Sequence, residues 1–220
     1  MPLEQVRQRL IDTFARWGKP GAMRVDNGLP LGCPASQLTP MLALWLIAIE
    51  VAMIWNKPAC PQQNGRVEKM QDTTARWAEI EQATSLSDLQ TRLEAALQLH
   101  RQTYPVIRLG GKTRLAAFPQ LETSRRVYGP SDFSIERVYG FLSAKLYTRK
   151  VSVSGQISHY GTIYSVGLAY KRQWVQLRLT ADGSSWEVLA GHQVVKRVAA
   201  SMLTAKCIQN LTIMSKSKST

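Results

Sequence analysis

Met23-Arg24-Val25-Asp26-Asn27-Gly28-Leu29-Pro30 opens the stretch that decides the fold, and Pro61-Gln62-Gln63-Asn64-Gly65-Arg66-Val67-Glu68 closes it. Met23–Val25 is a short strand cut off by an Asp-Asn-Gly turn. Leu38 to Ile49 reads as a buried helix started at Thr39-Pro40, and Val51 to Trp55 as a short inner strand. Residues 56–64 contain Pro58 and Pro61 and form a loop, and a helix follows from Gly65 to Glu81 with Met70, Thr74 and Trp77 on one face. Strand, turn, helix, strand, loop, helix is an α/β order. The apolar run from Met41 to Trp55 has 15 residues and carries Glu50. A membrane-spanning helix needs about 20 nearly uncharged residues, so this run is the interior of a globular protein.

Working outward, Val6, Leu10 and Phe14 recur at helical spacing and Gly18-Lys19-Pro20 stops that helix. Ser87-Asp88-Leu89-Gln90 has the form of a capping box and starts a helix with Leu89, Leu93, Leu97 and His100 on one side, ended by Tyr104-Pro105. Residues 106–132 read as an extended basic linker. Beyond it the period becomes two. Strands are expected at 150–153, 155–160, 162–166, 174–179, 186–189 and 193–198, with Asp182-Gly183 as a hairpin turn. Short strands in such succession suggest a small β-barrel. The expected organisation is therefore an α/β core over 1–105, the linker over 106–132, an all-β barrel over 133–200 and a tail over 201–220, ending in MSKSKST.

The 220 residues carry 28 Lys and Arg against 15 Asp and Glu, a net charge of +13. Residues 1–100 hold 10 basic and 10 acidic side chains, whereas 101–220 hold 18 and 5. A neutral half is joined to a cationic one, and a cationic half points to a polyanion, most often nucleic acid. A solubilising surface is the plainer alternative. Membranes attract the same charge through basic amphipathic helices, and none stands out, so a membrane partner is not expected. The composition excludes a disordered chain, a collagen-like repeat and a coiled coil. Cys33, Cys60 and Cys207 are few, odd in number and far apart, which fits reduced thiols in a cytoplasmic compartment. The first ten residues show no apolar leader segment. No Ser/His/Asp triad, P-loop or zinc knuckle is present.

Asp26 at a strand end and Glu68 in the first turn of a helix have 41 residues between them. The order of elements can return both to one sheet edge, where two carboxylates suit a hard divalent cation. Alternatively, Asp26 caps its turn and Glu68 complements the helix dipole. Arg66 and Lys69 flank Glu68. Arg108, Lys112, Arg114, Arg125 and Arg126 punctuate the linker and could track a phosphate backbone. Lys171 and Arg172 stand beside Trp174. Trp174 and Trp186 are read as core side chains in preference to stacking platforms.

The pair of segments, Val25-Asp26-Asn27-Gly28 followed by Pro61-Gln62-Gln63-Asn64-Gly65-Arg66-Val67-Glu68, resembles the catalytic core of the retroviral integrase-like DDE transposases of insertion sequences. Leu109-Gly110-Gly111-Lys112-Thr113 is similar to the segment that follows such cores, with Arg114 where a proline is usual. Gly155-Gln156-Ile157, Tyr164-Ser165-Val166-Gly167 and Asp182-Gly183 resemble their C-terminal barrel. The resemblance covers about residues 5–200. It implies a partial RNase H-like core, a small SH3-like barrel, and catalytic and metal-binding roles for Asp26 and Glu68. It also implies Mg²⁺ or Mn²⁺ as cofactor and DNA contacts from Asn64, Arg66, Lys69 and the linker and barrel cations. Oligomeric assembly on DNA in a bacterial cytoplasm goes with it. The family's first Asp lies on an earlier strand. Here only Glu4 and Asp12 precede Asp26 among acidic residues, and Asp12 falls in a helical pattern. The chain thus resembles the C-terminal part of a transposase. It is expected to be silent alone, with an N-terminal transposase piece or a full-length transposase as partner. The competing expectation is a non-catalytic DNA-binding, assembly or inhibitory module derived from a transposase.

Overall fold

The computed structural model describes residues 2–32, 38–58, 60–123 and 126–212. In chain order the first half holds α1 (Leu3–Trp17), β1 (Ala22–Val25), α2 (Met41–Ala48), β2 (Ala52–Trp55), α3 (Gly65–Ala78) and α4 (Leu86–Gln98). Then come α5 (Arg114–Ala117), α6 (Gln120–Thr123), α7 (Ile135–Ser143), β3 (Tyr147–Lys150), β4 (Gln156–His159) and β5 (Thr162–Ser165). The chain continues with β6 (Trp174–Leu179), β7 (Ser185–Ala190), β8 (Gln193–Ala199) and α8 (Ala205–Gln209). The order is mixed α/β followed by a β-rich region. No helix among the described residues is long and apolar enough to cross a membrane.

The chain divides into two compact units, one of residues 1–12, 20–55 and 128–220, the other of residues 13–19 and 56–127. The division falls inside α1, after Asp12.

In the first unit β1 and β2 pair in parallel, Ala22 opposite Ala52 through Val25 opposite Trp55. The crossover between them contains α2, whose sequence MLALWLIA is apolar all round, and the helix is accordingly buried on nearly every side. It packs on α7 and α8. Glu50 ends it at a φ of 66°, with the Val51 amide donating to the Leu46 carbonyl at 2.9 Å. This left-handed stop satisfies carbonyls the helix leaves open. Helix α7 was not expected from the sequence. Its signal is Ile135, Val138 and Leu142, of which Val138 and Leu142 are fully buried.

The β-rich region is not a closed barrel. It consists of an open antiparallel sheet, β3-β6-β7-β8, and a separate β4-β5 hairpin. Closure would need strands that join the two edges, and β4 and β5 spend their pairing on each other. The strand expected at 150–153 is instead β3, over 147–150. Ser152 turns the chain there, its Oγ accepting from the Gln156 amide at 3.0 Å. The Asp182-Gly183 turn does join β6 to β7, with Gly183 at a φ of 71°. A Cβ on Gly183 would lie 2.3 Å from the Tyr139 ring, so both backbone angle and space require glycine.

Tyr147, His159, Tyr160 and Trp186 make an aromatic core, with the His159 and Trp186 rings 4.4 Å apart. His159 is 1% exposed and neither ring nitrogen has a hydrogen-bond partner. Burial and, secondarily, the Arg149 charge push its pKa down to about 3. Where a tail was expected from residue 201, Met202, Leu203, Ile208 and Leu211 are buried around α8. The MSKSKST end lies outside the described residues.

The second unit is helical. α3 packs on α4, with Trp77 against Tyr104 at 5.0 Å and His100 at 5.9 Å. The cap of α4 is Ser85, two residues before the expected one. Its side chain accepts from the Asp88 amide at 3.1 Å, while Asp88 reaches back to the Thr84 amide at 3.0 Å. α4 runs into a π-helical turn over Leu99–Thr103. The segment read as extended after Pro105 instead makes a short turn at Ile107–Leu109 and the helices α5 and α6.

Candidate nucleic-acid interface

Asp26 follows the last residue of β1, at the carboxyl end of a parallel strand pair, the edge where functional groups emerge in open α/β sheets. It is exposed, and its Oδ1 accepts from the Gly28 amide at 3.1 Å. The turn-capping role is therefore real. Glu68 is exposed in the first turn of α3, where helix-dipole complementarity holds as well. Asp26 belongs to the first unit and Glu68 to the second. Each supplies hard carboxylate oxygen of the kind Mg²⁺ takes. No group of three His, Cys, Asp or Glu that could hold a metal ion gathers among the described residues, so neither carboxylate sits in a preformed cage.

Around Glu68, Asn64 stands at the helix start, but its side chain does not cap the helix. Its Oδ1 accepts from Asn56 Nδ2 at 2.5 Å, tying the loop before α3. Arg66 is exposed. Lys69 faces Asp72 at 3.5 Å, and Asp72 also meets Arg76 at 3.2 Å. Arg108 and Lys112 are exposed on the turn after Pro105. Arg114 has structural work, donating to the His100 carbonyl at 2.8 Å and so closing the π-helical turn. Arg126 is half-buried, and its carbonyl accepts from the Lys19 amide at 2.7 Å. Arg125 lies outside the described residues.

The β-rich region separates the two tryptophans that the sequence reading treats alike. Trp186 is 0% exposed and belongs to the core, whereas Trp174 is 65% exposed. The alternation of β6 sets this: Val175, Leu177 and Leu179 face inward, leaving Trp174, Gln176 and Arg178 outward. Lys150 is the cross-strand partner of Trp174, with its Nζ 6.0 Å from the ring centre. Lys171 and Arg172 are exposed immediately before the strand.

Further across this face, Glu187 is held by two bidentate forks. Arg178 donates to its Oε2 at 2.7 and 3.1 Å, and Arg197 to its Oε1 at 2.8 and 3.1 Å. Those hydrogen bonds hold the carboxyl below the usual carboxylate range. One carboxylate thus answers two guanidiniums, and the face stays net positive. Lys150, Arg178 and Arg197 carry no motif in the sequence. Their signal was their place on the outward phase of period-two strands. The chain was compared with known protein families, and no family model matches it.

Proposed function

We propose that this chain is a DNA-binding part of an integrase-core transposase, of RNase H-like descent, with the β-rich region in the place of that family's small C-terminal domain. The observation that carries the DNA-binding reading is the outward face of the β3-β6-β7-β8 sheet, where an exposed Trp174 stands among Lys150, Lys171, Arg172, Arg178 and Arg197. Cations on such a face neutralise phosphates, and an exposed indole packs against sugar or base. Asp26 and Glu68 keep the catalytic and metal-binding roles implied by the resemblance. Mg²⁺ held there would supply positive charge at a scissile phosphate. Two such ions need a bridging carboxylate as well, so the chain alone is silent and a transposase piece carrying the first Asp completes it on DNA.

Binding is tested with the full chain and a duplex oligonucleotide across a salt series. The logarithm of affinity falls linearly with the logarithm of salt, and Lys150→Gln, Lys171→Gln and Arg172→Gln together reduce that slope by about 3. An unchanged slope in the folded triple variant refutes the assigned face. For catalysis, a separately expressed N-terminal transposase piece is added. Cleavage that depends on both polypeptides and is lost in Glu68→Gln supports the split reading. Glu68-dependent nicking by this chain alone refutes the claim of silence.

A further inference from the structure

We infer that a cleft in the helical unit binds a nucleoside monophosphate, free or as the phosphorylated end of a strand. The cleft encloses about 390 Å³ and is lined by Trp17, Met70, Leu97, Arg101, Arg114 and Leu115. That volume lies within the range of small-ligand pockets.

Arg16, Arg101 and Arg114 line it together with the carboxylates Glu94 and Glu122, three cations against two anions. The Arg101 guanidinium lies 4.1 Å from the Trp17 ring centre and that of Arg16 5.0 Å. Stacking on an indole orients a guanidinium plane and satisfies none of its N–H donors. Arg16 is answered by Glu94 at 3.5 Å. Among the described residues Arg101 has no hydrogen-bond or ion-pair partner. Arg114 spends one donor on the His100 carbonyl. Burial and then the Arg16 charge hold the Arg101 pKa below its ordinary value. Burial, then the charges of Arg114 and Arg101, push the pKa of His100, buried at the wall, below its ordinary value. Half-buried charge without a counter-ion is costly, and a phosphate taken by two rigid forks relieves it.

The rest of the wall is part polar, with Gln98 and Gln102, and part apolar. Met70, Leu97, Leu115 and the indole suit a flat heterocycle, which inorganic phosphate would leave uncovered. A nucleoside monophosphate supplies both parts. The inference uses no residue of the sheet face and does not rest on the DNA reading.

The test is calorimetric titration of the full chain with dAMP, deoxyadenosine and inorganic phosphate. dAMP is expected to bind about tenfold or more tightly than either fragment, the worth of a charge-assisted hydrogen bond or two. Arg101→Gln weakens dAMP binding by about the same factor, and Leu97→Trp, which fills the cleft, removes it. Arg101→Gln leaves circular dichroism, Tm and the salt slope on duplex DNA unchanged. Competition between dAMP and a 5′-phosphorylated single strand, absent with its 5′-hydroxyl counterpart, identifies the strand end as occupant, and absence of competition from both identifies the free nucleotide. Phosphate binding as tight as dAMP, or dAMP affinity unchanged in folded Arg101→Gln, overturns the inference. Loss of duplex binding in the sheet variants with dAMP binding intact separates this site from the DNA face.

Discussion

The two units bury different things. The largest fully buried side chains, among them Trp186, Tyr147, Leu42, Leu177, Leu203 and Ile208, all belong to the first unit. In the second, the buried described residues are Phe14 together with small or polar ones such as Ala78, Ala96, Thr74 and His100. Its larger rings, Trp17 and Trp77, are only partly covered and work through arginine, histidine and tyrosine contacts. One unit is closed by close packing between segments distant in sequence, and the other by neighbouring helices that leave a cleft. A tightly packed interior has no room for a ligand, so the binding proposed for the first unit falls to its outward face. The second unit can offer an interior site because its core is incomplete.

The contrast predicts unequal sensitivity to mutation, readable unit by unit through amide hydrogen exchange. Trp186→Ala should have the largest effect, a loss of about 3–5 kcal/mol in denaturant unfolding, with exchange rising throughout the first unit. A loss under about 1 kcal/mol would mean that the aromatic cluster is not what closes this unit. Gly183→Ala should cost about 2–3 kcal/mol, since alanine meets both an unfavourable φ and the Tyr139 ring. Combining it with Tyr139→Leu should return part of the loss, and a strictly additive double variant would remove the steric half of the explanation.

His159 gives the first unit an acid sensitivity. Its folded pKa of about 3 lies below the ordinary value of 6.5. The fold therefore favours the neutral ring, and this contribution is whole above pH 6.5. It is lost as the pH falls from 6.5 towards 3, at about 1.4 kcal/mol per pH unit and about 2 kcal/mol by pH 5. His159→Leu should flatten that part of the stability profile. Retention of the same slope would assign it to other groups.

Ser85→Ala should have the smallest effect, about 1 kcal/mol, by removing the cap of α4. Its increase in exchange should stay within α4 and its packing partner α3. Spread of the effect into the β-rich sheet would break the division into independently stabilised units.

Much of this was legible from the chain because it is local. The 3.6-residue recurrence of Val6, Leu10 and Phe14 marks α1, the turn residues Asp182-Gly183 join β6 to β7, and Asp26 and Glu68 fall at a strand end and a helix start. Such events depend on residues a few positions apart, whose dihedral preferences and side-chain periods are set by neighbours. The cap of α4 was misplaced by two residues because Ser85 and Ser87 offer the same hydroxyl. Only the backbone path decides whether Ser85 meets the Asp88 amide or Ser87 the Gln90 amide. A helix at 135–143 was missed because its three-residue apolar signal is short and follows a loop.

Tertiary structure alone decided which surfaces are covered. Trp174 and Trp186 stand on strands of the same period, yet one is solvent-facing and the other enclosed, since the phase of each strand relative to the core settles burial. The β1-β2 pair joins the C-terminal sheet in one unit across more than seventy intervening residues. His159 loses both hydrogen-bond partners and Arg101 comes to rest on Trp17. Charge, period and turn chemistry are written along the chain. Cover and proximity belong to segments far apart in it, and they arise only when burial of apolar surface outweighs the entropy of closing the loops between them.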